Sequence, residues 1–225
     1  MNIIMAYFCV NIKTILKDKI SLIWSIVFPA FFLLGNKNNI HSVLDIRYYW
    51  GYIIFNSYIF GVGIHSIRQR EYGTLKTFFS IKDSRWEFFG ANVLTQICFT
   101  EITFCIFNLF IFIITKLNFW EMMLLSNIMI ILMLPLTFLS FIITLFKKVH
   151  VNTLNSVLMI FTTICLFGMG IRTPINALNP LYYASDLLLM DDIAGVGIYV
   201  IVSLCSIISG GWCIKNFTVF SNEIR

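Results

Sequence analysis

Few residues of this chain have the types and the spacing that catalysis or metal binding requires. The three histidines, His41, His65 and His150, are scattered, and the six cysteines form no C-x-x-C pair. A metal site needs several such ligands at short spacing, so we expect no metal site. The apolar stretches also lack a nucleophile accompanied by a base, which disfavours an intramembrane hydrolase.

Glu101 is the one carboxylate well inside an apolar stretch. A charged side chain at the middle of a bilayer costs on the order of 3 kcal/mol, so we expect Glu101 to face protein. A structural contact with a polar group of a neighbouring helix is the favoured role. Direct contact with a transported substrate is the alternative.

The composition places the chain in a membrane. Of its 225 residues, 59% are hydrophobic and 12% are charged, and the mean hydropathy is +0.86. So much apolar surface cannot face water, and the length suits one transmembrane domain that covers residues 1–225.

The elements that position these residues are six apolar runs, each long enough to cross a bilayer as a helix. The runs are 20–35, 48–67, 88–115, 122–146, 151–171 and 194–214. We therefore predict an all-α fold with six transmembrane helices, the first retained rather than cleaved, with Pro29 and Pro135 bending spans 1 and 4. Ser57 and Gly61 give span 2 a face of small residues that a second helix can approach.

The distribution of Lys and Arg predicts the orientation. With the N-terminus inside, the inner segments hold twelve of these residues and the outer segments hold four. Cationic loops remain on the cytoplasmic side, so both termini should be cytoplasmic in the cell membrane of a bacterium. No basic cluster with interleaved aromatic residues lies outside the spans, so no nucleic-acid partner is expected.

Two segments next to the spans should lie at the inner membrane surface. In residues 1–19 the apolar residues recur at helical spacing, which predicts an interfacial amphipathic helix; a simple extension of span 1 is the alternative.

Residues 68–87 mix charged and aromatic side chains. Gly73 loosens the helix there, and the pair Ser84 and Glu87 fits a capping box that starts a new helix at Arg85. The alternative for 68–87 is a solvated loop.

Two motifs then point to a family. The run Arg70-Glu71-Tyr72-Gly73-Thr74-Leu75 resembles the E-x-G-T-L signature that follows the second span in type-2 ABC transporter permeases. Between spans 5 and 6, Pro174, Asn179, Pro180 and Tyr182 lie in a segment that resembles the P-x-x-x-x-N-P-L-x-Y outer loop of this family. The outer segment between spans 1 and 2 is short, so the large extracytoplasmic domain of some relatives is absent.

The resemblance implies a transport machine of several chains. It implies two ABC ATPase subunits, which bind ATP and Mg, and a second permease copy or paralogue, all in contact with membrane lipids. The 225 residues contain no G-x-x-x-x-G-K-[ST] motif, so the chain itself should be neither an enzyme nor the carrier of a cofactor. The resemblance assigns 68–87 to ATPase coupling and 172–193 to short re-entrant outer helices. The coupling residues are Arg70, Glu71, Tyr72, Gly73, Thr74, Leu75 and Lys76.

The substrate stays open at this level. An apolar, Phe-rich pathway suits amphipathic or hydrophobic cargo, and export of antimicrobial or bacteriocin-like peptides, or immunity to them, is favoured. Export of drugs or lipid-linked glycans is the alternative within the same class. A secondary transporter or channel would normally need more intramembrane ionisable residues than Glu101 supplies.

Overall fold

The computed structural model describes residues 3–17, 19–79, 83–146, 149–169, 179–189 and 193–218. Every regular element in these ranges is helical, and they contain no β-strand. The α-helices, in chain order, are α1 (Ile3–Lys17), α2 (Lys19–Gly35), α3 (Arg47–Tyr58), α4 (His65–Glu71), α5 (Thr74–Phe79), α6 (Arg85–Thr115), α7 (Phe119–Leu132), α8 (Pro135–Phe141), α9 (Val151–Met169), α10 (Pro180–Asp186) and α11 (Ile193–Lys215). A π-helical segment, Ile59–Ile64, joins α3 to α4 without a break, and 3-10 turns cover Lys37–Asn39, Val43–Ile46, Ile142–Leu145 and Leu187–Leu189.

Three helices of the described chain, α6, α9 and α11, are long and apolar enough to cross a membrane. A fourth crossing results if α7 and the bent segment Pro135–Leu145 act as one span, with an angle of 48° between them. The prediction of a helical membrane protein is therefore confirmed. The predicted spans 1 and 2 are helical as well. Neither is among the single helices long enough to cross a membrane, because α2 covers 17 residues and the π segment divides the run from α3 to α4.

The bend in the fourth predicted span lies where the sequence indicates. Pro135 occupies the start of α8, after a turn at Met133 and Leu134, because its ring removes the backbone N–H that a continuous helix needs there. Pro29, in contrast, lies inside α2, which continues through it.

The turn that precedes α3 is stabilised by a capping box at Ser42 and Asp45. The Asp45 carboxylate accepts hydrogen bonds from the backbone amides of His41, at 2.9 Å, and of Ser42, at 2.7 Å. Burial alone would raise the pKa of Asp45, but these bonds and the nearby Arg47 outweigh burial and hold the pKa below its ordinary value. The sequence reasoning did not identify this box.

The start of α6 differs from the prediction in one respect. The helix begins at Arg85 as expected, but Ser84 makes no side-chain capping bond to it, so the predicted capping box with Glu87 is not formed. The Ser84 hydroxyl lies instead 2.8 Å from the hydroxyl of Tyr7 in α1. A tertiary contact has replaced the local one, because Tyr7 and Ser84 are brought together by the packing of α1 on α6.

Two apolar clusters hold the helices together. The first surrounds α3 and buries Trp50, Ile54 and Tyr58 completely against α6 and α7. The second, which we call the elbow cluster, is composed of Tyr7, Val62, Leu75, Phe88, Phe89, Ala91, Phe141, Cys213, Ile214 and Phe217. It joins α1, α5, α6, α8 and α11 at one end of the bundle.

Glycines permit the closest approaches between helices. A Cβ added at Gly63 would lie 2.5 Å from the Ser140 carbonyl oxygen of α8, and one at Gly210 of α11 would overlap the Phe138 carbonyl. The backbone of α8 is therefore in contact with the π segment on one side and with α11 on the other. On the face predicted from Ser57 and Gly61, the approaching helix is α6.

Gly210→Ala should lower the unfolding temperature of the purified protein in detergent, because the added methyl group overlaps a backbone carbonyl and overpacking of this kind costs about 1–3 kcal/mol. The matched control is Gly197→Ala in the same helix, where an added Cβ meets nothing within 4 Å. That variant should unfold at the parent temperature or slightly above it, since alanine favours helix more than glycine does. Equal unfolding temperatures for the two variants would contradict the assigned packing of α8 and α11.

Candidate functional site

The motif segment forms a sharp elbow, which we define as α4, the turn Tyr72–Gly73, and α5. Gly73 has a φ of +71°, in the left-handed region that side chains other than glycine enter at a cost. Its amide donates to the carbonyl of Arg70 at 3.0 Å, and the Thr74 hydroxyl donates to the carbonyl of Gln69 at 2.9 Å. The glycine and the threonine of the motif therefore have a local role, since together they close the turn.

Arg70 anchors the elbow inside the protein. Its side chain is only 1% exposed, although it carries a full charge. Nη1 donates to the carbonyl oxygen of Thr144 at 3.0 Å, and Nε donates to the carboxylate of Glu71 at 3.1 Å. Thr144 belongs to the 3-10 turn that ends the bent segment, and a cation is favourable at the carbonyl end of a helix. The elbow is thereby tied to the broken span.

Leu75 supplies the second anchor. It is 1% exposed and packs in the elbow cluster, which includes Phe88 of α6 and Phe141 of α8. Glu71, paired with Arg70, is largely covered, with 12% of its side chain exposed, whereas Tyr72 is 73% exposed and Thr74 and Lys76 are exposed as well. The elbow thus has one face bound firmly to the helices and one face available to another molecule.

A buried chain of polar side chains connects α1 to the same region. The Asn11 amide donates to Asn92 at 2.7 Å, Asn92 donates to the Ser66 hydroxyl at 3.2 Å, and Ser66 donates to the Val62 carbonyl at 2.6 Å. These bonds link α1, α6, α4 and the π segment. The sequence reasoning assigned no role to Asn11, which the structure buries; the available signal is an asparagine one helical turn after Tyr7.

Tyr7 completes this attachment of α1. Burial raises the pKa of its phenol against the lowering effect of the Ser84 hydrogen bond, so the group stays protonated. Its ring lies 5.9 Å from that of Phe88 in an edge-on arrangement. The helix α1 is thus fixed to the start of α6, and its predicted position in the membrane interface stays a prediction.

The helix α10 packs across the start of α3, at the end of the bundle opposite the elbow. The helical run between Glu71 at the elbow and Arg47 at the start of α3 is about 36 Å long. The Asn179 side chain caps α10 by accepting from the Leu181 amide at 3.1 Å, and its Nδ2 donates to the Cys165 carbonyl of α9 at 2.8 Å. Leu181 is fully buried. Asn179 is therefore both a helix cap and a bond between two elements.

Ionic and aromatic contacts hold α10 to α3 as well. Arg47 Nε lies 3.0 Å from the Asp186 carboxylate, and the rings of Tyr48 and Tyr182 stack with centroids 6.0 Å apart. Pro180 occupies the first turn of α10 and is exposed. Pro174, the first proline of the predicted outer motif, lies outside the described residues, as do 170–178 and 190–192.

Glu101 lies in the middle of α6 and is partly buried. Its carboxyl group lies near the Asn127 side chain in α7, whose Nδ2 donates to the Met123 carbonyl at 2.8 Å. The structure thus places Glu101 beside a polar group of a neighbouring helix, and its functional role stays a prediction. Among the described residues, no group of three or more His, Cys, Asp or Glu side chains could hold a metal ion.

A groove of about 510 Å³ lies between α2, the α3–α4 run, α6 and α9. On the α3–α4 run its wall extends from Tyr52 to Arg68, which is about 24 Å of helix. Asn155, Met159 and Thr163 of α9 form the facing wall, one helical turn apart. Met159 is 58% exposed, so the groove is open along α9. None of these residues was predicted as part of a site.

Comparison with known proteins gives one distant likeness. Protein McbE of Escherichia coli is 25% identical to this chain over 224 aligned residues, which cover 86% of the chain and 89% of McbE. No family model matches the chain, and no solved structure matches it.

Arg70→Ala should lower the unfolding temperature by on the order of 10 °C, since breaking a buried charged pair costs about 3 kcal/mol or more. The measurement is thermal unfolding in detergent micelles. The matched control is Arg68→Ala, which removes the same side chain from the same helix at a half-buried position in the wall of the groove. If both variants lose the same stability, Arg70 is not the anchor of the elbow.

Proposed function

We propose that this chain is the permease subunit of an ATP-driven ABC exporter in the cell membrane of a bacterium. In this proposal the chain crosses the membrane six times, with both termini in the cytoplasm. Two copies, or one copy and a paralogue, surround the translocation pathway. Two separate ABC ATPase subunits, which bind ATP and Mg, drive the transport.

The observation that carries the proposal is the anchoring of the elbow. A segment that receives force from a partner must be rigid, exposed on one face and joined to the helices that move. The elbow has these properties, because Arg70 and Leu75 fix it to α8 and α6 while Tyr72 and Thr74 face outward. A solvated loop would not require a buried guanidinium that bonds to the end of another helix.

The buried contacts indicate how a push on the elbow would be transmitted. Arg70 bonds to the turn after α8, and Gly63 and Gly210 hold the α8 backbone in close contact with the π segment and α11. The elbow and α8 should therefore move together. The turn before Pro135 and the π segment Ile59–Ile64 are the interruptions at which spans 4 and 2 can bend.

The position of α10, at the end of the bundle opposite the elbow, supports the proposed exporter. The helix α10 is short, begins at Asn179-Pro180 and packs across the ends of α3 and α9, as expected of an outer re-entrant helix that covers the pathway. In the favoured form of the proposal the cargo is an amphipathic peptide of the antimicrobial or bacteriocin-like class, either exported by its producer or removed to give immunity. Drugs and lipid-linked glycans are the alternative cargoes.

The competing class is a secondary transporter or channel. Such a protein needs ionisable groups along its pathway to couple or select ions. Within the described part of the chain, His65 and Arg68 are the two His, Lys, Arg, Asp or Glu residues that line the groove, and Glu101 lies outside its lining. The pattern favours a transporter whose energy enters from a partner.

Contact with an ATPase can be tested by replacing Tyr72 with the photo-crosslinking residue p-benzoylphenylalanine in the native host. Irradiation should attach the chain at position 72 to a protein whose peptides include a G-x-x-x-x-G-K-[ST] motif, identified by mass spectrometry. The matched control is the same replacement at Trp120. This residue is also aromatic and is 78% exposed, but it lies away from the elbow, at the start of α7. No adduct at position 72, or the same adduct at both positions, would overturn the proposed coupling.

The six-span topology can be tested with alkaline phosphatase fusions, which are active only outside the cytoplasm. A fusion after Asn38 should be active, and fusions after Asp83 and after Arg225 should be inactive. If α2 and the α3–α4 run do not cross the membrane, the Asn38 fusion will be inactive like the Asp83 fusion.

A further inference from the structure

The groove combines two kinds of surface. Aromatic rings of Phe28, Phe60 and Phe99 form part of its wall, and the amide side chains of Asn56, Gln96 and Asn155 lie among them. Its volume of about 510 Å³ falls within the range of about 300–1,000 Å³ that is usual for sites of small ligands. The wall therefore suits a ligand with both apolar and hydrogen-bonding groups.

The backbone beside the groove is specialised as well. The residues Phe60, Gly61 and Ile64 of the wall belong to the π segment, a rare conformation that occurs frequently at functional sites. Gln96 spans this region: its Oε1 accepts from Ser57 at 3.0 Å, and its Nε2 reaches the Gly61 carbonyl only at 3.4 Å. This long bond leaves the Gln96 amide able to exchange partners.

The side chain of Asn155 gives the clearest indication of the kind of ligand that fits the groove. It lies half-buried in the wall, and within the described part of the chain its side chain makes no hydrogen bond. An amide group can donate and accept at once, which is the complement of a peptide group. An acyl chain of a lipid would cover the rings but would leave these amides unpaired, so a peptide-like occupant fits better.

The charge of the wall restricts the occupant further. Of the described lining residues, none is Asp or Glu, and Arg68 carries a positive charge at the elbow end. Charges interact strongly in surroundings of low dielectric constant, so a cationic ligand would meet repulsion without a counterion.

From these observations we propose that the groove binds an uncharged, amphipathic, peptide-like ligand and rejects cationic ones. Asn56, Gln96 and Asn155 pair with the amide groups of the ligand, and the aromatic rings cover its apolar side chains. As the substrate class of the exporter this inference rests on the proposed function, but binding itself is a property of this chain alone.

The experiment measures binding to the purified full-length chain in nanodiscs of phosphatidylcholine, without any ATPase, by fluorescence anisotropy. The first probe is a dansyl-labelled tetrapeptide amide of alternating serine and leucine, and the second has both serines replaced by lysines. The uncharged probe should bind at least about tenfold more tightly than the lysine probe. Equal affinity, tighter binding of the lysine probe, or no saturable binding of either would overturn the proposal.

Two pairs of variants locate the site. Asn155→Leu should weaken the uncharged probe by about fivefold or more, and Asn155→Asp should reduce or reverse the preference against the lysine probe. The same substitutions at Asn152, an exposed residue of α9 outside the groove lining, should leave both affinities near those of the parent. Equal effects at the two positions would show that the probes bind elsewhere.

The outcome is separable from that of the crosslinking at Tyr72. If the uncharged probe binds more tightly but position 72 forms no adduct with an ATPase, ligand binding in the groove is supported and the export function is contradicted. An adduct together with a reversed ranking would overturn only the ligand class.

Discussion

The buried guanidinium of Arg70 is the constraint on which the rest of the structure depends. A charge taken out of water must find partners, and Arg70 finds them in the Glu71 carboxylate beside it and in the Thr144 carbonyl at the end of the bent span. These two bonds fix which face of the elbow is buried and which remains exposed. They also make α8 part of the same body as the elbow.

The same demand for partners organises the other polar residues of the helices. Asn11, Asn92 and Ser66 form a chain between three helices, and Trp50 donates to Asn108 at 2.8 Å inside the first cluster. In an apolar environment an unpaired polar group is costly, so such residues specify which helix faces meet. Apolar packing alone, between side chains that resemble lipid, specifies much less.

The polar side chains of the elbow region join helices to one another, whereas those of the groove line an open space. Around the elbow, hydrogen bonds and close glycine contacts join α1, α4, α6, α8 and α11. Along the groove, Asn155 has no partner in the described chain and Gln96 holds Gly61 only at 3.4 Å. This contrast is the physical basis for assigning force transmission to the elbow region and ligand binding to the groove.

The sequence by itself determined the membrane class, the interruption of the helix at Gly73 and the break at Pro135. Each of these follows from the hydropathy or the backbone preference of neighbouring residues, which a sequence displays directly. Only the tertiary structure decided that Arg70 bonds to Thr144, that Ser84 pairs with Tyr7 rather than capping α6, and that Asn155 faces a groove. The partners in the first two contacts are separated by 74 and 77 positions in the sequence, and the third depends on which helix faces meet. Periodicity along one helix carries no information about the face of another helix.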